Sequence, residues 1–253
     1  SLLANTIFQD SNLSLLKILI GLYVFFNSNN GVNGNQLDNY VDANVKTARK
    51  FSKKCRILMA ESNNSKILQS SFYEIDILEI GGHHKGKRGK DSENKQPTLL
   101  ILSTLEDNNY PQYVKLHTLP NYKGEPIEEY LKEKCLFDPT IVINCDRDKA
   151  FFCLNKLAQL ENSVVDYTKE NHKLKWLNTF TGNIQSNINH LYRLVKKRDL
   201  PLFLSEQEWR INHRYSGKRI MDKVKKYISM STPVTFKQIT NSVLAYEKQF
   251  LSA

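Results

Sequence analysis

The sequence predicts an α/β domain preceded by a smaller helical one. Three observations carry that reading. Residues 72–80 alternate apolar and acidic side chains, 140–146 form a short β-branched run ending in Asp146, and Ile188, Leu191, Leu194 and Val195 have helical spacing.

From the N-terminus, 13–26 is apolar but interrupted by Lys17 and shorter than the roughly 20 residues of a membrane span. It reads as a buried helix. Residues 31–42 read as a short helix and turn, and 43–59 as a second helix with Lys46, Arg49, Lys50, Lys53, Lys54 and Arg56 on its polar side. That is helix-turn-helix grammar, with Asn44, Lys46, Thr47, Lys50 and Lys53 as candidate DNA contacts; a helical bundle with a solvated basic face is the alternative.

Strands follow near 71–80, 98–106 and 110–118, then a helix over 126–134, a strand over 140–146, a helix over 149–160, a strand over 163–167 and a helix over 186–198. A meander followed by helix, strand, helix, strand, helix is the order of a ribonuclease-H-like (retroviral-integrase-like) domain. Between the first two strands, 83–95 is rich in Gly and charge. Lys85, Lys87, Arg88 and Lys90 there are candidate phosphate contacts, or else a solvated hairpin tip. Pro201 opens a segment to Asn212, and 217–250 shows two amphipathic helices broken at Ser231-Thr232-Pro233. The expected domains are 1–66, 67–214 and a helical tail over 215–253.

Asp76 and Asp146 sit at or near strand ends, where ligands gather in α/β folds. Asn189, on the helix over 186–198, and Lys196, seven residues on and on one face with it, complete a set. Two aspartates and an amide oxygen can hold two hard cations for in-line phosphoryl displacement, with the lysine facing phosphate. Each residue singly has a plainer reading as a turn former, cap or solvated side chain. Gln185 rivals Asn189 for the third position, although its seventh follower is Tyr192.

The formal net charge is +10, a balance that favours a polyanionic partner without naming it. Cys55, Cys135, Cys145 and Cys153 form no C-x-x-C pair, which argues against a zinc knuckle, and the absence of a signal peptide suggests a reducing interior.

The surroundings of these residues resemble the ISXO2-like insertion-sequence transposases, relatives of the eukaryotic Merlin elements. The first motif of that family, Asp-x-x-x-Ile-Gly-Gly and then a Lys/Gly/Arg-rich stretch, is similar to Asp76 through Gly82 and the basic run after it. The second resembles Asp146-Arg147-Asp148-Lys149-Ala150-Phe151, and the third resembles Ile188-Asn189-His190-Leu191-Tyr192 through Lys197. A closing Tyr-Leu-x-Glu-x-x-x-Arg-x-Asn motif looks like Phe203-Leu204-Ser205-Glu206 with Arg210 and Asn212. The resemblance runs from about Thr6 to Arg214. It departs from the family in lacking the N-terminal zinc ribbon and in carrying Asn189 where other members have Glu, as the Asp-Asp-Asn branch does.

The resemblance implies a DNA transposase that uses two Mg²⁺ or Mn²⁺ ions, hydrolyses phosphodiesters at element ends and transfers the strand into target DNA. Asp76, Asp146 and Asn189 would be metal ligands and Lys196 a catalytic phosphate contact. Its expected partners are double-stranded DNA, as terminal inverted repeats and as target, and further copies of itself as a homodimer or higher oligomer. No membrane is expected. The implied setting is intracellular: a bacterial cytoplasm or nucleoid, or a nucleus in a eukaryotic host. A catalytically inactive DNA-binding derivative and a nuclease without strand transfer stay open as alternatives.

Overall fold

The computed structural model describes residues 3–81, 95–105, 110–138, 140–146, 148–162, 174–192 and 195–233. The chain divides into two compact units. The first joins residues 1–65 to 190–193 and to the chain from 198 onward, and the second comprises 66–189 and 194–197. The C-terminal part of the span expected for the catalytic domain, 198–214, therefore packs with the N-terminal helices.

In the first unit, α1 (Leu15–Asn27) starts at Ser14, whose hydroxyl accepts from Lys17 N. It buries Ile18, Leu22, Phe25 and Phe26, but Leu16, Leu19 and Tyr23 are exposed, so the helix is half-buried rather than enclosed. α2 (Gly34–Val41) opens with a capping box: Asn33 accepts from the amides of Asn35 and Gln36, and Gln36 returns an acceptor to the Asn33 amide. Asp42 ends it in the left-handed conformation, with φ 45°. Lys17 Nζ holds its carbonyl at 2.6 Å and its carboxylate at 2.8 Å. Two residues later Asn44 caps α3 (Val45–Asn64), accepting from Thr47 N at 2.9 Å. Two helices joined by a three-residue turn are therefore present.

The second half of α3 is buried from Cys55 to Ala60. This corrects the placement of Arg56 on a solvated face. Arg56 is 5% exposed and donates to Glu206 on α6 (Leu200–His213) at 2.6 Å. Arg210, one turn along α6, donates to the same carboxylate and to the carbonyls of Phe25 and Ser28. Tyr192 adds its hydroxyl to Glu206 at 2.7 Å. Phe203 lies 4.0 Å from the Arg56 guanidinium carbon, over its ring centre. Gly31, at φ 103°, passes beneath Tyr192; a Cβ there would meet the hydroxyl at 1.9 Å. α7 (Ile220–Met230) buries Val224 against this core, which also takes Leu37, Phe51, Leu202 and Trp209.

The second unit is built on a five-stranded sheet in the order β3-β2-β1-β4-β5. β1 (Phe72–Ile80), β2 (Gln96–Leu105) and β3 (Tyr110–Thr118) form the expected antiparallel meander. β4 (Val142–Cys145) lies parallel to β1, and β5 (Gln159–Asn162) parallel to β4. β5 comes four residues earlier than the strand expected over 163–167, whose positions lie outside the described residues. The segment expected as a helix over 149–160 is a 3₁₀ helix, Lys149–Lys156. Tyr73, Ile75, Ile101, Ile143 and Cys145 face α4 (Gly124–Lys134) and the 3₁₀ helix, where Ile127, Leu131, Phe151 and Leu154 close a core. α5 (Lys175–Ser186) covers the other face. The arrangement is compatible with a ribonuclease-H-like transposase domain.

Burial holds the His117 imidazole, stacked 4.0 Å from Tyr130, down at about 3, with Lys134 contributing. A group depressed on folding takes up its proton first in the unfolded chain, so stability drains away as pH falls from about 6.5 toward 3. His117→Phe should flatten that part of the profile of thermal midpoint against pH relative to native protein. Glu206→Gln should destabilise by about 3–5 kcal/mol, because it leaves two buried arginines short of their counter-charge. Urea unfolding measures it, and a loss below about 1 kcal/mol would refute the network's role.

Candidate metal centre

The β1–β4 ladder ends one residue before Asp76 and Asp146. In the parallel ladder Glu74 stands opposite Asn144 and Ile75 opposite Cys145, so the next step of the register is Asp76 with Asp146. Neighbouring strands lie about 4.8 Å apart and side chains alternate faces, so Asp76 shares with Glu74 the face that carries α5, and Asp146 directly follows the end of β4. Burial pushes the Cys145 thiol up to about 12, and the charges of Asp146 and Asp76 add to the rise.

The plainer reading of Asp146 as a turn former also holds. It is exposed, and its Oδ1 accepts from Asp148 N at 3.0 Å, while Asp148 caps the 3₁₀ helix through Ala150 N at 3.1 Å. Asp76 is half-buried, with Oδ1 accepting from Ile77 N at 2.7 Å.

The third element differs from expectation. In place of one helix over 186–198, α5 begins at Lys175 and ends at Ser186, and a π-helical turn runs over Asn187–Tyr192. π turns are wide, short and frequent at functional sites. Asn189 lies inside this one and is half-buried. Lys196 is exposed and outside any helix, so the seven-residue spacing does not place it on one helical face with Asn189. Pro201, in the first turn of α6, fits a fresh helix start rather than a continuation. Gln185 Nε2 reaches the Glu79 carbonyl at 3.5 Å, on the stretch of β1 that runs beyond the end of β4.

Between α5 and the sheet lies a polar layer. Glu74 is 1% exposed, and its Oε2 accepts from Leu177 N at 3.1 Å. Burial pushes its carboxyl up to about 7, against the pull of that amide. Asn144 Oδ1, Asn178 Nδ2 and Thr181 Oγ1 are buried without hydrogen-bond partners. Among the described residues no three His, Cys, Asp or Glu side chains gather as a metal site. The donors available are oxygens: two carboxylates and, on the same face, the orphaned Asn144 Oδ1. Oxygen donors of this kind suit a hard cation such as magnesium or manganese.

The ISXO2-like transposase domain matches residues 72–212, from the first residue of β1 to the last turn of α6 and more than half of the chain. The chain belongs to the ISXO2-like transposase family. No curated protein matches it. Membership supports a transposase function of the polynucleotidyl-transferase kind. The family match takes in both aspartates, Gln185, Asn189 and Lys196, and also Glu206 and Arg210, whose motif resolves here into the buried ion network of the first unit. No helix among the described residues is long and apolar enough to cross a membrane.

Sequence reasoning gives no task to Glu74 or to Asn144, which stand opposite one another on adjacent strands. Lys85, Lys87, Arg88 and Lys90 lie outside the described residues.

Proposed function

We propose that this ISXO2-like protein is an active DNA transposase that cuts phosphodiesters at element ends and joins the freed ends to target DNA. The observation that carries the reading is the register of the β1–β4 ladder, which ends with Ile75 opposite Cys145 so that its next step would be Asp76 beside Asp146, within the family's matched span. Asp76 and Asp146 would hold two magnesium or manganese ions, with Asn189 completing a shell. Bound ions of that kind lower the pKa of water and neutralise phosphate charge.

Around them the chain's own groups have separate tasks. Asp76 and Asp146 contribute carboxylate oxygens from adjacent strands. Lys196, exposed after the π turn, contacts phosphate. In the first step water attacks phosphorus and the bond to the 3′ oxygen breaks, leaving a 3′ hydroxyl. In the second that hydroxyl attacks a target phosphodiester, so one ester bond replaces another and no external energy source is required.

DNA binding is assigned to the first turns of α3. Asn44, Lys46 and Lys50 are exposed there and Thr47 is half-buried, whereas Lys53 donates to Asp199 at 3.1 Å and holds α3 to the start of α6. Asn44 and Thr47 also make the helix cap. The working partners are double-stranded element ends, target DNA and a second copy of the chain.

Asp76→Ala and Asp146→Ala should each abolish cleavage of an element-end duplex while its binding persists, since each empties a metal site and leaves the strands paired. Cleavage at the native rate by either variant overturns the site. In strand-transfer assays with a pre-cut end, Asn189→Ala should lose activity in both Mg²⁺ and Mn²⁺; indifference there, with loss in Gln185→Ala, moves the third ligand to Gln185. Absence of strand transfer from the native chain in either metal would favour the inactive derivative.

Lys46→Ala and Lys50→Ala should weaken DNA binding and lower the log-log salt slope by about 1 for each phosphate no longer neutralised. Lys53→Ala should also reduce thermal stability, because it breaks the pair with Asp199. Unchanged affinity and slope in the Lys46 and Lys50 variants would leave α2 and α3 as a structural bundle.

A further inference from the structure

α5 does not cap its own N-terminus. Leu174 stands at the cap position with φ 70° and supplies no side-chain acceptor, and the first turn carries no acidic residue. The missing acceptor comes from the sheet. Glu74 Oε2 takes the Leu177 amide at 3.1 Å, in a setting where the carboxylate is 1% exposed. An amide at a helix start is one of the orphan donors that must find a partner, and a carboxylate there meets the positive end of the helix dipole. A buried carboxylate is costly unless it is bonded. Both requirements are met by one contact.

That contact has a positional consequence. α5 is tied to β1 at two points, Leu177 to Glu74 and Gln185 to Glu79, and Asp76 lies between the two strand positions. Asn178, Thr181 and Gln185 follow one side of the helix at intervals of three and four. One helical turn is about 5.4 Å, close to the advance from Gln185 to Asn189. A slide of α5 by a single turn would therefore exchange the two amides along β1.

We propose that Glu74 is a positioning residue of the metal centre: by docking the N-terminus of α5 two residues from Asp76, it fixes which amide the helix and its π turn present to the two aspartates. This rests on the reading of Asp76 and Asp146 as metal ligands. Glu74 itself touches neither metal nor substrate. It acts through the helix.

The test uses the full chain with Glu74→Gln, which keeps an acceptor oxygen, and Glu74→Leu, which removes it. Three quantities are measured: hydrogen exchange of the amides of α5, Mn²⁺ affinity by paramagnetic titration without DNA, and the Mg²⁺ dependence of cleavage. Glu74→Leu should speed exchange at the start of α5, weaken Mn²⁺ binding by about 10- to 100-fold and raise the half-saturating Mg²⁺ by a similar factor, with DNA affinity unchanged. Glu74→Gln should stay close to native in all three. If the Leu variant does not fold, Glu74→Asp, one methylene shorter, should move the same quantities in the same direction.

Faster exchange with unaltered metal affinity would reduce Glu74 to a helix cap and overturn the proposal. So would unaltered exchange. Asp76→Ala separates the two levels: native protein whose Mn²⁺ binding is lost in Asp76→Ala but kept in Glu74→Leu refutes the role of Glu74 alone. Native protein that binds no Mn²⁺ refutes the metal centre, and the role of Glu74 falls with it.

Discussion

The parallel pairing of β1 with β4 is the constraint on which the site depends. Among the described strands, β1 alone has both an antiparallel neighbour, β2, and a parallel one, β4, and the parallel ladder is only four residues long. Its shortness does two things. Asp146 is released into a turn directly beside Asp76, and Ile77–Ile80 continue past β4 with one edge unanswered by a described strand. Backbone groups on such an edge need partners, and Gln185 supplies one at Glu79. Because side chains alternate along a strand, a one-residue slip of β4 would turn Asp146 toward the Ile75 and Ile143 core and leave Asp76 without its neighbour. The apolar set of β4, Ile143 and Cys145 buried among Tyr73, Phe151 and Leu154, makes that slip costly.

The first unit solves a different problem. A basic helix, α3, must be anchored without losing its solvated first turns. The division falls within the helix: Lys46, Arg49 and Lys50 remain exposed, while Arg56 turns inward to Glu206. One carboxylate receives two guanidinium groups and a phenol, and the aromatic rings of Phe25, Tyr192 and Phe203 surround Arg56. Such a cluster is weak evidence for stability against an apolar alternative, but breaking it by removing one member is severe. Its value is geometric. Arg210 also binds the carbonyls of Phe25 and Ser28 at the end of α1, so a single α6 residue fixes the end of one helix and shares a partner with another.

Much of this is legible in the sequence. The meander and β4 are marked by alternation and by a β-branched run, which are local signals, and Asp42 and Asn44 fall at the expected turn between two helices. Arg56 is misread because a charged side chain at a polar spacing looks solvated until its counter-ion is known, and that counter-ion lies 150 residues away. The start of α5 is missed because Leu174 is neither a capping residue nor a breaker; its cap comes from Glu74, with 103 residues between Glu74 and Leu177. Periodicity around Ile188 is real, because burial enforces it there, but the extension to Lys196 assumes a uniform 3.6-residue turn. The π turn breaks that assumption, and spacing arguments lose their force beyond it.

The same π turn sets where Asn189 falls relative to the residues of α5 before it. A π turn carries more residues per circuit than an α turn, so Asn189 follows Gln185 within about one turn. In the proposed site the third ligand is a neutral amide, so the charge facing the ions would come from the two aspartates. Asp76 lies on β1 and Asp146 directly after β4, and the unpartnered Asn144 Oδ1 precedes Asp146 by two residues. On the proposed reading the burden falls on helix placement rather than on ligand charge, and Glu74, whose buried carboxylate takes the Leu177 amide, lies two residues from Asp76 on the same strand.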